Sequence, residues 1–192
     1  MKHVLRCRCG TIRGEVDADG SAGRAICYCK DCQAYARHLG RPEVTLDAQG
    51  GTEIVACLPS NVRFSAGLER LACLSLSDKG LLRWYADCCR TPIGNTPRDP
   101  KVAYVGLVRD CLPGEDRVLD AAFFPCSIAL NTGSAQGAVR STPFSTALGV
   151  FKIMKNVLGA RLSGGYKRNP FFDATSGRPI RAPHLPNAKP AG

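Results

Sequence analysis

Cys27-Tyr28-Cys29-Lys30-Asp31-Cys32 places three thiols within six residues, in a C-x-C-x-x-C spacing. Zinc holds a thiolate sulfur at about 2.3 Å. Side chains two and three positions apart on a tight loop converge to such distances without closing a long loop. A structural zinc site is completed by four ligands, whereas a catalytic one holds three and keeps a position for water or substrate. Cys27, Cys29 and Cys32 supply three, and the next candidate, His38, lies six residues beyond Cys32. The spacing therefore predicts a three-cysteine metal site with an open position. The plainer alternative is three reduced, partly buried thiols.

Working outward, the cysteines fall into further groups. Cys7-Arg8-Cys9-Gly10 puts two sulfurs on one side of a knuckle, with a glycine behind them free to take a positive φ. Cys88-Cys89 follows Leu81-Leu82-Arg83-Trp84-Tyr85, the second arm of a predicted hairpin whose first arm is 71–76 and whose turn is Ser77-Asp78-Lys79-Gly80. Further short strands are predicted at 11–16, 25–26, 44–46, 52–57, 62–64, 102–108 and around Ala122-Phe123-Phe124, punctuated by Gly and Pro. Two helical turns are predicted at 33–39, stopped by Gly40-Arg41-Pro42. Many short strands between turn residues indicate a mainly β body. Cys57, Cys73, Cys111 and Cys126 lie in apolar segments and read as small core residues, and Trp84 and Tyr85 are expected to pack in the core beside Cys88 and Cys89.

The chain has 192 residues, 44% of them hydrophobic, with eleven Cys and a net charge of +10. That length accommodates one domain with a full core and an extension. An odd cysteine count, in close pairs and behind an N-terminus without an apolar leader core, argues for reduced, metal-binding thiols in the cytoplasm. No run of 18 or more apolar residues predicts a membrane span. The charge is uneven: residues 131–192 hold nine Lys or Arg against the single acid Asp173, while residues 1–130 are near neutral. Within the extension, Asn131-Thr132-Gly133-Ser134 reads as a linker. Residues 143–162 read as an amphipathic helix capped by Thr142 with Pro143 at its first position, ended by Gly164-Gly165. The remainder, 166–192, reads as extended and rich in Pro and Arg. The helix has three candidate roles: docking on the β body, a homodimer contact, or lying on an anionic membrane or binding nucleic acid. Sparse aromatic interleaving and the lack of a DNA-reading motif argue against nucleic acid.

The three cysteine motifs together resemble the glutathione-dependent formaldehyde-activating enzyme family, which includes the centromere protein V relatives. The carrying residues are Cys7-Arg8-Cys9-Gly10, Cys27-Tyr28-Cys29-Lys30-Asp31-Cys32 and Tyr85-Ala86-Asp87-Cys88-Cys89-Arg90-Thr91-Pro92-Ile93. The family forms are C-x-C-G, C-x-C-x-x-C and F-C-x-x-C-G-T-P-L. The resemblance covers about residues 1–130, leaving 131–192 as an added extension. It implies a zinc-bound all-β tent holding one or two Zn2+ per chain. The first and third motifs would hold a structural zinc, through Cys7, Cys9 and Cys89. The third motif departs from the family: its first Cys falls on Ala86, and Arg90 stands where Gly is usual. Cys88 can supply the missing sulfur only if a kinked turn lets it join Cys89, because strand neighbours point to opposite faces. Water and His3 are the alternatives.

The second motif matches in full. It implies an exchangeable zinc on Cys27, Cys29 and Cys32 beside a thiol substrate, and a carbon–sulfur lyase reaction on a glutathione adduct such as S-hydroxymethylglutathione, or on another small thiol. Three thiolates weaken zinc as a Lewis acid and suit it to holding and releasing soft sulfur. No general base stands out; Asp31 lies inside the motif and His38 on the next segment. Arg8, Lys30, Arg37 and Arg41 are candidates for the carboxylates of glutathione. The rival reading is a non-catalytic zinc module that binds a macromolecular partner through its basic extension.

Overall fold

Alternation of buried and exposed positions sets the first strand: His3 and Leu5 face inward while Lys2, Val4 and Arg6 face out. This is β1, Lys2–Arg6. It is followed by β2 (Arg13–Asp17), β3 (Gly23–Cys27), α1 (Lys30–His38), α2 (Pro42–Thr45), β4 (Thr52–Cys57), β5 (Val62–Ala66) and β6 (Leu71–Leu74). Then come β7 (Leu82–Ala86), β8 (Thr91–Thr96), β9 (Val105–Val108), α3 (Asp116–Phe123), β10 (Ile128–Leu130) and α4 (Pro143–Leu162). The computed structural model describes residues 1–20 and 22–186. Ser21 of the predicted loop, and Lys189 with the rest of 187–192, lie outside them. The fold is mainly β.

The strands form two sheets, one ordered β1-β2-β5 and one ordered β10-β3-β4-β9-β8-β7-β6. One face of the larger sheet carries Val55, Cys57, Cys73, Trp84 and Leu107. These pack with Leu5, Ile12, Val16 and Val62 of the smaller sheet's side, and with Leu119 and Phe123 of α3. The chain beyond α4 belongs to this core as well. Phe171 is fully buried, 5.2 Å from the Trp84 ring and edge-on to Phe64 at 5.7 Å. From there the backbone runs along the β6 edge, where His184 exchanges hydrogen bonds with Cys73 and Ser75 and thereby covers groups that an edge strand would leave open.

The opposite face of the large sheet carries α1 and α4. Tyr35 and Leu39 of α1 pack on Leu74 and Tyr85 at the β6–β7 end. α4 lies over the other end, against β10. The approach is close: a Cβ on Gly149 would meet Ile128 Cδ1 at 2.5 Å. Only Val157 and Ala160 of α4 are buried, while Phe144, Phe151 and Leu162 are between 71% and 80% exposed. The apolar stripe read from the sequence thus points mostly to solvent.

Three local expectations are corrected. Residues 44–46 are not a strand, because Pro42 at a first helical position starts the single turn of α2. The run Ala122-Phe123-Phe124 ends α3, whose inward residues Leu119, Ala122 and Phe123 keep helical spacing. A short apolar run fits either period. Thr142 precedes α4 but makes no side-chain cap; its hydroxyl accepts from the Ala129 N–H at 2.9 Å instead.

Candidate metal centre

The first group forms where two turns meet. β1 leads into the Cys7–Gly10 knuckle, where Gly10 takes φ +76° and the Gly10 N–H bonds the Cys7 carbonyl. β7 ends at Ala86, and the chain turns through Asp87–Arg90 before β8 begins at Thr91. The turn is closed by Arg90 N–H donating to Ala86 O at 2.8 Å, with Arg90 in the left-handed region at φ +56°. Cys88 and Cys89 are therefore off the strand, and strand alternation does not separate their sulfurs. Cys7 Sγ is 3.5 Å from Cys9 Sγ and 4.0 Å from Cys88 Sγ; Cys9–Cys88 is 3.4 Å and Cys88–Cys89 is 3.9 Å. Four sulfurs tetrahedrally placed at zinc would be about 3.8 Å apart, so the group has the size that a metal ion needs.

Polar groups already point at these sulfurs. Ile12 N–H donates to Cys7 Sγ at 3.2 Å, and Thr11 and Thr91 hydroxyls lie 3.2 and 3.0 Å from Cys9 and Cys89. Thr91 Oγ1 also accepts from Arg8 N–H. Hydrogen bonds, that from Thr11 first, bring the Cys9 thiol down to about 6. Burial pushes Cys7 up, and Cys88 is pushed up to about 12. Four sulfurs this close push one another's titration apart, and a cation among them would relieve that repulsion. His3 is not part of it: its ring packs edge-on against Phe123 at 5.3 Å.

The second group is Cys27, Cys29 and Cys32, whose sulfurs lie within 4.8 Å of one another. Cys27 is the last residue of β3. α1 begins at Lys30, three residues earlier than the sequence reading placed it, so Cys29 is its N-cap and Cys32 lies in its first turn. The Cys32 N–H donates to Cys29 Sγ at 3.3 Å. A helix N-terminus favours negative sulfur. Asp31 occupies the same turn. The loop is braced from outside: Gln33 Nε2 donates to the Tyr28 and Ser134 carbonyls, and the Tyr28 hydroxyl reaches Asp47 Oδ2 at 3.1 Å.

Three surrounding residues escaped the sequence reading. Arg83, with a side chain 2% exposed, points Nη1 at Cys32 Sγ (3.8 Å) and at Asn95 Oδ1 (3.1 Å), lies 3.6 Å from Asp31, and stacks over the Tyr35 ring. Asn131, in the segment read as a linker, takes φ +55° and donates Nδ2–H to Cys27 Sγ at 3.3 Å. Thr52 pairs directly with Cys27 across β3 and β4, so the two side chains share one face. Thr52 Oγ1 is buried and has no hydrogen-bond partner among the described residues. These three come from 20 to 104 residues away in sequence, and a buried Arg inside a strand was the only signal available. Hydrogen bonds from Cys29 and then Cys32 hold the Cys27 thiol far below its usual value, while contacts with Cys27 and then Cys29 push Cys32 far up. Both cysteine groups could hold a metal ion.

Of the remaining candidates only Lys30, between Cys29 and Cys32, belongs to the triad's loop. His38 ends α1 and faces His184 at a ring distance of 6.5 Å. Arg8 is 3.7 Å from Asp110, Arg41 lies 3.6 Å from Glu43, and Lys30 and Arg37 are exposed. Cys57, Cys73 and Cys111 are buried, and burial pushes the Cys57 and Cys73 thiols up to about 12.

A model of one family, described as a family of unknown function (DUF6151), matches residues 1–182. The chain belongs to the DUF6151 family. All seven clustered cysteines, and Thr52, Arg83 and Asn131, fall inside the family match, as does the helix α4. No curated protein matches the sequence. Among solved structures, a Rhodobacter sphaeroides protein determined as a structural-genomics target is similar at 23% identity and a TM-score of 0.43, over 62% of this chain and 94% of that one.

Proposed function

We propose that the protein is a zinc-dependent carbon–sulfur lyase, related to the glutathione-dependent formaldehyde-activating enzymes, that acts on the aldehyde adduct of a small thiol. The observation that carries the reading is the contrast between the two cysteine groups. Cys7, Cys9, Cys88 and Cys89 offer four ligands, a complete structural set. Cys27, Cys29 and Cys32 offer three, with a buried unpartnered hydroxyl beside them. A zinc ion on the triad would supply affinity for the soft sulfur of the substrate.

The chain's own residues have the remaining roles. Asn131 and Arg83 hold the Cys27 and Cys32 sulfurs in place and offset their negative charge. Thr52 Oγ1 is the group placed to bond an adduct oxygen or a thiol that enters beside Cys27. In the lyase direction the carbon–sulfur bond of a hydroxymethyl thioether breaks with its electron pair going to sulfur, the hydroxyl proton is transferred to that sulfur, and thiol and aldehyde are released. The reverse joins the same atoms, so no oxidant or reductant is involved. The test is NMR exchange spectroscopy on a thiol–formaldehyde mixture with the zinc-loaded protein. Exchange faster than the uncatalysed rate, lost in Cys29→Ser and kept in Cys57→Ala, supports the proposal. Exchange equal to that without protein, over a range of thiols, would sink it.

A further inference from the structure

Strand register places more than the triad on this face of the large sheet. Leu130, Cys27 and Thr52 form one row across β10, β3 and β4; Ile128, Ala25 and Ile54 form the next row on the same face. Two residues along a strand separate the rows by about 6.6 Å. Over the second row lies a cavity of about 290 Å³ between the sheet and α4. Leu130 belongs both to the cavity wall and to the row of Cys27. The roof is Val150, Ile153 and Met154 of α4. Tyr104, a further wall residue, has its hydroxyl pushed up by burial and then by the nearby Cys57, Cys27 and Cys32. The cavity and the triad are therefore adjacent on one face.

The lining is wrong for a charged tripeptide. Arg24 borders it, but its guanidinium is already held by Glu53, Asp116 and Asp120. Lys152 lies over the Phe124 ring at 4.9 Å, at the rim. Glutathione carries two carboxylates and an ammonium, and the cavity offers them one cation and no acceptor cluster. Its walls are mainly apolar, with Tyr104 and Phe124 among the aliphatic side chains, and its volume stands at the small end of ligand sites, which run from roughly 300 Å³ upward. Apolar walls of this size fit one aromatic ring or a short alkyl chain.

We infer that the substrate of the triad is a thiol, or the aldehyde adduct of a thiol, whose apolar arm occupies the cavity under α4 while its sulfur meets Cys27, Cys29 and Cys32. This rests on the proposed lyase reading and names its substrate class. It sets a short aryl or alkyl thiol, rather than glutathione, as the ligand.

Isothermal titration of the zinc-loaded full chain tests it, with phenylmethanethiol, hexanethiol, glutathione and the sulfur-free phenylmethanol as probes. Burial of one ring or short chain predicts that the two apolar thiols bind about ten-fold or more tightly than glutathione. Val150→Trp fills the cavity from a position 53% exposed, so folding is spared; it is expected to erase that preference and leave bound zinc unchanged. Ile153→Ala, which enlarges the cavity, is expected to shift preference toward hexanethiol and serves if the Trp variant misfolds. Glutathione binding as tightly as phenylmethanethiol, or a preference indifferent to both variants, overturns the cavity assignment while leaving the triad reading intact. Thiols binding no better than phenylmethanol, with no change in Cys29→Ser, would show that sulfur does not meet the triad, and both readings would fall.

Discussion

Replacing Arg83 by Met separates the metal-bound from the metal-free protein. Arg83 is buried beneath the triad, 3.8 Å from Cys32 Sγ, and its partner Asp31 is 62% exposed. Three thiolates around a divalent ion carry a net negative charge, and Arg83 is the cation buried against it. Loss of a group that orients and charge-balances a metal ligand lowers metal affinity by about 10- to 100-fold, or about 1.4–2.8 kcal/mol. In the metal-free protein the thiols can take up protons. The guanidinium is then a desolvated charge whose ion pair reaches solvent, and an apolar side chain of similar length costs little in its place. The apo melting temperature is therefore expected to move by less than about 3 °C. Competition against a chromophoric chelator reads the affinity, and calorimetry reads the apo stability. One zinc weakened by at least ten-fold and the other unchanged is the expected result. An affinity within two-fold of wild type would refute the role given to Arg83.

Arg90→Gly is expected to raise stability by about 1 kcal/mol, read by urea titration, because Arg90 sits at φ +56° where glycine carries no steric penalty. Part of that gain is offset by the lost contact with the Tyr85 ring. Phe171→Ala is expected to cost about 3–5 kcal/mol, since the ring is fully buried between Trp84 and Phe64; a change below 1 kcal/mol would contradict the place of this segment in the core. Burial, and then Arg109, hold His3 below its usual value against a hydrogen bond to Pro113, and burial lowers His38 too. Protons therefore bind the unfolded state first. Stability is expected to fall as pH drops below about 6.5, and His3→Phe to flatten that slope in thermal melts at pH 5 to 7.

Much of the fold could be read from local pattern. The hairpin of β6 and β7 follows from two apolar runs around Ser77-Asp78-Lys79-Gly80, and β4 and β5 from their bounding Gly and Pro residues. Local pattern fails where two periods fit the same few residues, as at Ala122-Phe123-Phe124, or where a proline redirects the chain, as at Pro42. It also leaves direction open. The spacing of Val150, Phe151, Met154, Val157 and Leu158 fits one face of a helix, but it does not say whether that face meets the body or solvent. At the site, the cysteine spacing points to a metal because the ligands are close in sequence. The residues that tune them are not close. Thr52, Arg83 and Asn131 reach the triad only through strand register and a left-handed residue after β10. The meeting of Cys88 and Cys89 with Cys7 and Cys9 needed the turn at Arg90, which a non-glycine residue conceals.

Zinc content of reduced, purified protein is the most direct measurement on the central claim of two independent cysteine sites. Wild type is expected to hold two zinc ions, Cys9→Ser and Cys29→Ser one each, and the double variant none. Of the two single variants, the one retaining the four-cysteine group should resist chelator longer, because that site is closed. Zero zinc in wild type, or both ions lost together on either single substitution, would contradict it.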